Sequence, residues 1–564
     1  MHRNWLVSRT NREFLEHLSS RFSISPVLAQ VLVNRGIKDA GSIKNFLHPS
    51  LNDLHDPFLM PDMTKAVERL KTAVERDETV LVHGDYDADG ITATALLVST
   101  LSGLGLKTYY HIPNRITEGY GLSNKGIQKA GTNGANLIIT ADCGISSGTE
   151  VSNALSMGMD IIVTDHHEPP EKLPPVTAVI DPHRTDSAYP FKNLAGVGVA
   201  FKLIQALLQE LRVANYESQL TELLDLVALG TIADSVPLLG ENRIFVTYGL
   251  KRINNSTGRT GIQALKEAAG VDGSSRAGSL SYSLIPRINA AGRVDDAGEV
   301  VELFLTGDEA KARGIANLLE EQNRKRQKIE GDVLKTALDM INPDDMENVI
   351  VLSSHEWHPG VIGIVASRLV DMFYRPVFLF SIKDSVAKGS ARGIPPFHLY
   401  RAIAECPDLL LGFGGHRMAA GLSLDVGNLP AFKNQMNRIA AEKLSAEDMI
   451  PALKIDAAVK FSDLNFNLIK ELALLEPYGD SNKQPVFGTK AIEIVNKKIV
   501  GNNHLKMQLK QDSINMDSIG FSMGEKLKNT DSVSSLDIAF IPCINEWNGT
   551  KNLQLNLRAI RPRK

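Results

Sequence analysis

The first 50 residues carry apolar positions at helical spacing. After a turn at Pro61-Asp62 that spacing returns between Ala66 and Val74. From about residue 77 the pattern becomes strand, loop, helix, repeated. Thr79-Val80-Leu81-Val82 is a short β-rich run, and Gly90 opens a long apolar helix, Ile91 to Leu101. Lys107 to Ile112 reads as the next strand, with Pro113-Asn114-Arg115 as loop. Leu137 to Thr140 and Ile161 to Thr164 are two more strands with a helix between them. Strands alternating with helices at this interval predict a parallel α/β sheet. Apolar runs without polar alternation fit strands covered on both faces. Phe201 to Leu211 and Leu220 to Ile232 are apolar helices.

Gly258 to Ser283, rich in Gly and Ser, reads as a domain edge. Asp308 to Met340 is a charge-laced helical stretch without proline. It reads either as a solvated structural helix or as a connecting helix whose Arg324-Lys325-Arg326 and Lys328 face phosphates. A second α/β unit starts near 345. Its strands are Asn348–Ser353 and Pro376–Ile382, its helix Val361–Phe373, and its glycine-rich loop Gly412–His416. From about 452 short alternating strands follow: His504–Lys510, Ile514–Met523, Leu536–Trp547 and Asn552–Ile560, with Asn548-Gly549 as a hairpin turn. That is an all-β, OB-like barrel. The expected division is 1–50, 51–270, 271–342, 343–445 and 446–564.

Composition narrows the class. A chain of 564 residues holds about two to four domains. A net charge of −4 advertises no nucleic-acid partner globally, so any basic binding surface is local. Cys143, Cys406 and Cys543 have no CxxC spacing, which argues against disulfide scaffolding and structural zinc and fits a reducing cytosol. The first ten residues lack a signal peptide's apolar core, and no apolar stretch approaches the ~18–20 residues of a membrane span. The expected location is the cytoplasm.

Chemistry concentrates where the apolar runs end: His83-Gly84-Asp85-Tyr86-Asp87-Ala88-Asp89-Gly90, Asp142, Asp165-His166-His167 and Asp234. Carboxylates and neutral imidazoles are ligands for Mn²⁺ or Mg²⁺. Open α/β sheets bind ligands beyond the carboxyl ends of their strands. Asp87, Asp89, Asp142, His166 and Asp234 supply enough ligands for two metal ions ~3.5–4 Å apart, with His83 or His167 as further candidates. Taken singly, an Asp after a strand is more often a helix N-cap or an Asx-turn than a ligand.

These segments resemble the four motifs of the DHH phosphoesterase superfamily. From about residue 50 onward the chain is more closely similar to that superfamily's bacterial 5′→3′ single-strand-specific DNA exonucleases. Further matches are 286–297 (Pro-Arg-Ile-Asn-Ala-Ala-Gly-Arg-Val-Asp-Asp-Ala), 358–368, Ser-Ala-Arg at 390–392 and Gly-Gly-His-Arg-Met-Ala-Ala-Gly at 414–421. The resemblance implies an α/β fold of two lobes, DHH and DHHA1, each built on a parallel sheet, joined by a long helix and followed by the OB-like barrel.

It also implies roles. Asp87, Asp89, Asp142, His166 and Asp234 match the positions that hold two Mn²⁺ or Mg²⁺ ions. His167 supports the catalytic site, Asp165 orients a histidine, and His83 is a ligand in only some members. Ser390, Arg392 and His416 surround the 5′-terminal phosphate, with Arg115 and Arg293 reaching it from the first lobe and the linker. Gly414-Gly415 offers close backbone amides, and Tyr120 stacks on a base. Spacing alone leaves Arg115 as a helix cap and Tyr120 as core. The implied reaction is two-metal hydrolysis of single-stranded DNA to mononucleotides from a 5′ end, in recombination and repair. The implied partners are a single-strand-binding protein and a helicase, with the enzyme itself a monomer. The barrel adds a track for the strand. Arg558, Arg561, Arg563 and Lys564 either extend that track or form a solubilising tail. Other superfamily members act on oligoribonucleotides, cyclic dinucleotides or pyrophosphate; they need neither the barrel nor the connecting helix.

Overall fold

The computed structural model describes residues 3–115, 117–255, 258–294, 297–526, 535–547 and 549–563. Asp295 and Asp296 of the 286–297 motif, Asn548 of the expected hairpin turn and Lys564 lie outside these.

The first lobe is built on five parallel strands in the spatial order Lys107–His111, Thr79–Gly84, Leu137–Ala141, Asp160–Thr164, Ala178–Ile180. Alternate residues of each strand serve opposite faces. Val80 and Val82 join a core with the helices Ala88–Gly103, Gly196–Glu210 and Tyr216–Ala233. Leu81 joins a smaller core under Asn124–Thr132 and Gly148–Ser156. From Thr79–Gly84 the chain goes to one neighbour first and later to the other. The order therefore reverses there and opens a crevice at the carboxyl ends of the strands.

The Gly- and Ser-rich stretch 258–283 is not a domain edge. It holds the helices Thr260–Ala268 and Ala277–Tyr282, whose Ile262, Leu265, Ala277 and Leu280 are buried in the first lobe's core. Gly261 is small because it packs on backbone: a Cβ there would lie 2.0 Å from the Leu303 carbonyl oxygen.

The 31-residue helix Glu309–Asp339 spans roughly 45 Å. Ala312, Ala316 and Leu319 belong to the first lobe's core, whereas Val333, Leu334 and Ala337 pack with the second lobe. Arg326 turns inward to Glu330 (2.5 Å) and Asn323 (2.6 Å), and exposed Arg324 pairs with Glu320 at 2.7 Å. The helix is thus a spar between the lobes.

The second lobe's sheet runs Gly412–Gly415, Ala419–Asp425, Val386–Arg392, Val377–Lys383, Ile350–Ser354. Its parallel character is confined to the last pair, and the hairpins make the rest antiparallel. The expected loop Gly412–His416 is an edge strand over 412–415; three glycines erase the side-chain alternation by which strands are read.

The C-terminal barrel closes through five strands: Phe487–Val500, His504–Gln511, Ile514–Gly520, Thr550–Arg563 and Ser535–Trp547, which returns to Phe487–Val500. Sequence pattern misses the strand 487–500. It is irregular at Thr489/Ile492 and at Ile494/Asn496, so its alternation breaks twice. The N-terminal helices are no separate lead-in. Arg12–Phe22, Pro26–Asn34 and Ala40–Leu47 share one core with the barrel, with Leu28, Leu32 and Ile43 beside Phe487, Leu536 and Phe540. The strand Asn4–Val7 pairs in parallel with Ala452–Ile455. Among the described residues, no helix is long and apolar enough to cross a membrane.

Candidate metal centre and substrate cleft

Four loops at the carboxyl edge of the first sheet deliver the acidic and imidazole side chains. Asp87 caps the helix Ala88–Gly103, its Oδ1 accepting from the N–H groups of Asp89 (2.9 Å) and Gly90 (3.1 Å). The Asp89 carboxylate accepts from the N–H groups of Gly196 (2.7 Å) and Val197 (2.9 Å), at the start of the helix Gly196–Glu210. Asp142 follows its strand in the left-handed region, φ 63°, so the chain turns and leaves the carboxylate over the sheet edge. Asp234 ends the helix Tyr216–Ala233. His166 Nε2 faces three of them: 3.1 Å from Asp142 Oδ1, 3.6 Å from Asp234 Oδ2 and 4.0 Å from Asp89 Oδ2.

Ligand atoms within 4.8 Å of one another form three sets: Asp85, Asp87 and Asp142; Asp89, His166 and Asp234; and Asp142, His166 and His167. These overlapping sets share Asp142 and His166; the two oxygens of the Asp142 carboxylate would suit it to serve more than one cation. The donors fit divalent cations on physical grounds. Asp85 Oδ1, Asp142 Oδ1 and Asp234 Oδ2 are buried without a hydrogen bond, a costly state for an anionic oxygen unless a cation is near. Burial and the neighbouring Asp234 push Asp89 up to about 7. Burial, then Asp89 and Asp87, raise Asp142 well above the usual carboxylate range. Divalent cations would offset that repulsion.

The histidines divide. Burial lowers the pKa of His166, but Asp234 and Asp89 outweigh it and raise the net value. Asp165 is an organiser: its Oδ1 accepts from the N–H groups of His166 (2.8 Å) and His167 (3.2 Å) and lies 2.7 Å from His167 Nδ1, while Oδ2 accepts from Ile145 N–H at 3.0 Å. At His167 that carboxylate overcomes burial and raises the pKa to about 9. His83 does not join the cluster. Its Nε2 accepts from Ser123 N–H at 3.1 Å, its Nδ1 is buried without a partner, and it belongs to none of the three sets. Burial and the nearby His111 push it down to about 3, and Gly126 packs so closely that a Cβ would sit 2.4 Å from its ring. His83 is a neutral core histidine.

A cleft of about 970 Å³ runs from Asp85, Asp87 and Asp234 to the second lobe. It brings together every substrate residue predicted from sequence: Arg115, Tyr120, Arg293, Ser390, Arg392, Gly414, Gly415 and His416. The Arg115 guanidinium lies 5.2 Å from the centre of the Tyr86 ring. Arg293 donates to Gly360 O at 2.9 Å, and Arg392 to Ser390 Oγ at 3.3 Å and Ala391 O at 2.8 Å. Burial and then Arg115, Arg326 and Arg392 push Arg293 down to about 10; burial and Arg115 lower Arg392 as well. Cations packed at mutual cost mark a place for an anion. Gly415 has φ 137°, and a Cβ there would meet the Ala419 carbonyl oxygen at 2.5 Å, so only glycine fits. Tyr120 is not core. Its hydroxyl lies 3.1 Å from His167 Nδ1 and donates to Asp142 O at 3.4 Å, while the residue stays 53% exposed.

Sequence reasoning left three residues without a role. Asp85 completes a ligand set with Asp87 and Asp142. Asp181 follows the strand Ala178–Ile180, fully buried, with Oδ2 lacking a hydrogen bond. The same strand-end rule that found Asp142 would have found it. Glu118 staples the loop that carries Arg115 and Tyr120, accepting from Asn114 N–H (3.0 Å) and Ser123 Oγ (2.8 Å) and lying 2.9 Å from His111 Nε2. A lone Glu in a loop gives no sequence signal.

Comparison with known proteins matches this architecture. The family models "DHH family, N-terminal domain", "DHHA1 domain" and "RecJ OB domain" match residues 79–231, 346–442 and 455–559. The chain is 39% identical to the single-stranded-DNA-specific exonuclease RecJ of Bacillus subtilis, across 98% of this chain and 70% of that one. It is 36% identical to the Escherichia coli protein of the same name, across 99% of both. The crystal structure of Thermus thermophilus RecJ in complex with Mn²⁺ superposes with a TM-score of 0.86 at 32% identity, covering all of this chain and 80% of that one. The Mg²⁺ complex gives 0.81 at 31% identity, covering all of this chain and 79% of that one. With a parallel sheet edged by carboxylates, a facing arginine pocket and a closed barrel in this order, the chain belongs to the RecJ family of DHH phosphoesterases.

Proposed function

We propose that this protein is a metal-dependent exonuclease that degrades single-stranded DNA from its 5′ end to mononucleotides, in recombination and repair. The observation that carries the reading is the continuity of one cleft, with a carboxylate–imidazole cluster at one end and a guanidinium pocket at the other. Mn²⁺ or Mg²⁺ is the cofactor, held by Asp87, Asp89, Asp142, His166 and Asp234 with Asp85 beside them. When bound, the two ions supply a water of lowered pKa and neutralise charge on the phosphate.

The chain's own residues do the rest. Arg115, Arg293 and Arg392 with Ser390 hold the 5′-terminal phosphate through paired donors. His416 and the Gly414-Gly415 backbone close that pocket. It acts as a stop that fixes how far the strand enters. Asp165 holds His167, and His167 holds the Tyr120 hydroxyl, so the exposed ring is presented rigidly for stacking on a base. The barrel offers the strand its further track. The chain works as a first lobe that takes in the helices between residues 260 and 305, a spar, a second lobe over 343–445 and a barrel unit over 446–564 joined by 1–50. The enzyme works as a monomer in the cytoplasm, beside a single-strand-binding protein and a helicase.

The test uses 5′-phosphorylated single strands labelled at either end, with and without Mn²⁺. Labelled mononucleotide released first from the 5′ label, only with metal, is the expected result. Early release from the 3′ label, or internal fragments, overturns the polarity.

A further inference from the structure

The helix Leu284–Val294 lines the cleft with two side chains, Asn289 and Arg293. Asn289 Oδ1 accepts from Ala88 N–H at 2.9 Å, at the first turn of the helix that Asp87 caps. A backbone N–H can only donate, so the amide oxygen faces Ala88 and the two donors of Nδ2 face the other way. Asn289 is half-buried, and the cleft is what that side opens on. The helix cannot drift, because a Cβ on Gly292 would lie 2.3 Å from the Tyr86 carbonyl oxygen. The amide is therefore held against the loop that carries Asp85 and Asp87, with its donors free beside the carboxylates of that loop.

Asn289 and Arg293 are four residues apart, one turn and about 6 Å along the helix axis on one face. That step is comparable to the distance between successive phosphates of an extended strand. We propose that Asn289 binds a non-bridging oxygen of the scissile phosphate, one nucleotide in from the terminal phosphate that Arg293 faces. The helix then acts as a ruler that sets the product at one nucleotide. The inference rests on the exonuclease reading above. It adds a residue that touches the reacting phosphate.

Asn289→Asp keeps the acceptor for Ala88 N–H and removes both donors; Asn289→Ala removes all three. The substrates are 5′-phosphorylated single strands with Rp or Sp phosphorothioate at the first internucleotide linkage, assayed in Mn²⁺. We expect turnover by either variant to fall roughly 100-fold. One diastereomer should slow the native enzyme, and that slowing should vanish in both variants. The ratio is taken within each variant, so it does not depend on how much of the protein is folded. Mn²⁺ alone, followed by calorimetry, should bind Asn289→Asp no more weakly than native. Thio effects that are equal in native and variants, including none in any of them, overturn the assignment. So does a variant whose only defect is weaker Mn²⁺ binding. The 5′-phosphate over 5′-hydroxyl preference separates the two readings. It should persist in Asn289→Asp and be lost in Arg293→Ala; its absence from the native enzyme would sink the terminal-phosphate pocket and leave the thio test of Asn289 standing.

Discussion

Gly196 touches Asp142 as closely as any residue can: a Cβ at Gly196 would lie 2.4 Å from Asp142 Oδ1. The same glycine gives its N–H to Asp89. One residue without a side chain thus lets two carboxylates from different loops approach each other. Gly196→Ala is acceptable to a helix but displaces the Asp142 carboxylate. We expect Mn²⁺ affinity to fall roughly 10–100-fold, the range for residues that support a ligand, with far-ultraviolet circular dichroism unchanged. Native affinity in the variant would show that the carboxylate can move without loss.

Asp142 is shared by two of the three ligand sets. Asp142→Asn should abolish hydrolysis and leave single-strand binding largely intact, since Arg115, Arg293 and Arg392 are untouched. Without metal the variant should melt higher than native, because one buried like charge is gone. Mn²⁺ at about 100 times its Kd should stabilise the native protein by about 2.7 kcal/mol and the variant by much less. Differential scanning calorimetry with and without metal reads both.

Glu118 sets an acid limit on the loop that carries Arg115 and Tyr120. Burial alone would raise its pKa, but hydrogen bonds from Asn114 N–H, His111 and Ser123 outweigh it and hold the carboxylate at about 2. Burial lowers the pKa of His111, so at pH 7 it contributes a neutral N–H. A carboxylate depressed in the fold contributes stability that is present above its unfolded pKa, near 4.5. That stability is lost as pH falls through the folded value. It is of order 3 kcal/mol at neutral pH. Glu118→Gln should therefore flatten the fall in melting temperature between pH 5 and pH 3, and weaken binding of 5′-phosphorylated strands at pH 7. Parallel pH profiles for variant and native would remove Glu118 from this role.

Arg243 locks the first lobe to the barrel unit. It is buried, with its guanidinium 4.0 Å from the Phe46 ring centre, and donates to the carbonyls of Phe46, Leu474, Leu475 and Glu476. Arg243→Met orphans four acceptors and should cost about 3 kcal/mol. Limited proteolysis between residues 443 and 452 should become faster. Deleting 446–564 alone should give an aggregating product, because the helices within 12–47 lose the partner of their apolar face. Deleting 1–48 as well should restore a monodisperse two-lobed protein that binds Mn²⁺ by calorimetry. A soluble single deletion would show that the N-terminal helices fold alone.

Much of this was legible from local pattern. The three inner strands of the first sheet, Thr79–Gly84, Leu137–Ala141 and Asp160–Thr164, were visible as apolar runs because both of their faces are covered. Asp87, Asp142 and His166 stood out because a strand end in a parallel sheet puts the next side chains at a shared edge. Patterns failed where glycine or bulges erase alternation, as in 412–415 and 487–500. They also failed at 258–283, where Gly261 marks close packing and two buried helices stand in place of a domain edge.

Residue order and chemistry alone determined the first sheet, the ligand types and the sequence of units. Tertiary structure decided what depends on distance between parts far apart in the chain. It left His83 outside the carboxylate–imidazole sets, with its Nε2 accepting from Ser123 N–H. It put Asp85 within one of those sets, and it joined residues 12–47 to the barrel's core. Periodicity reports which face of an element is buried; it carries no information about which distant face will cover it.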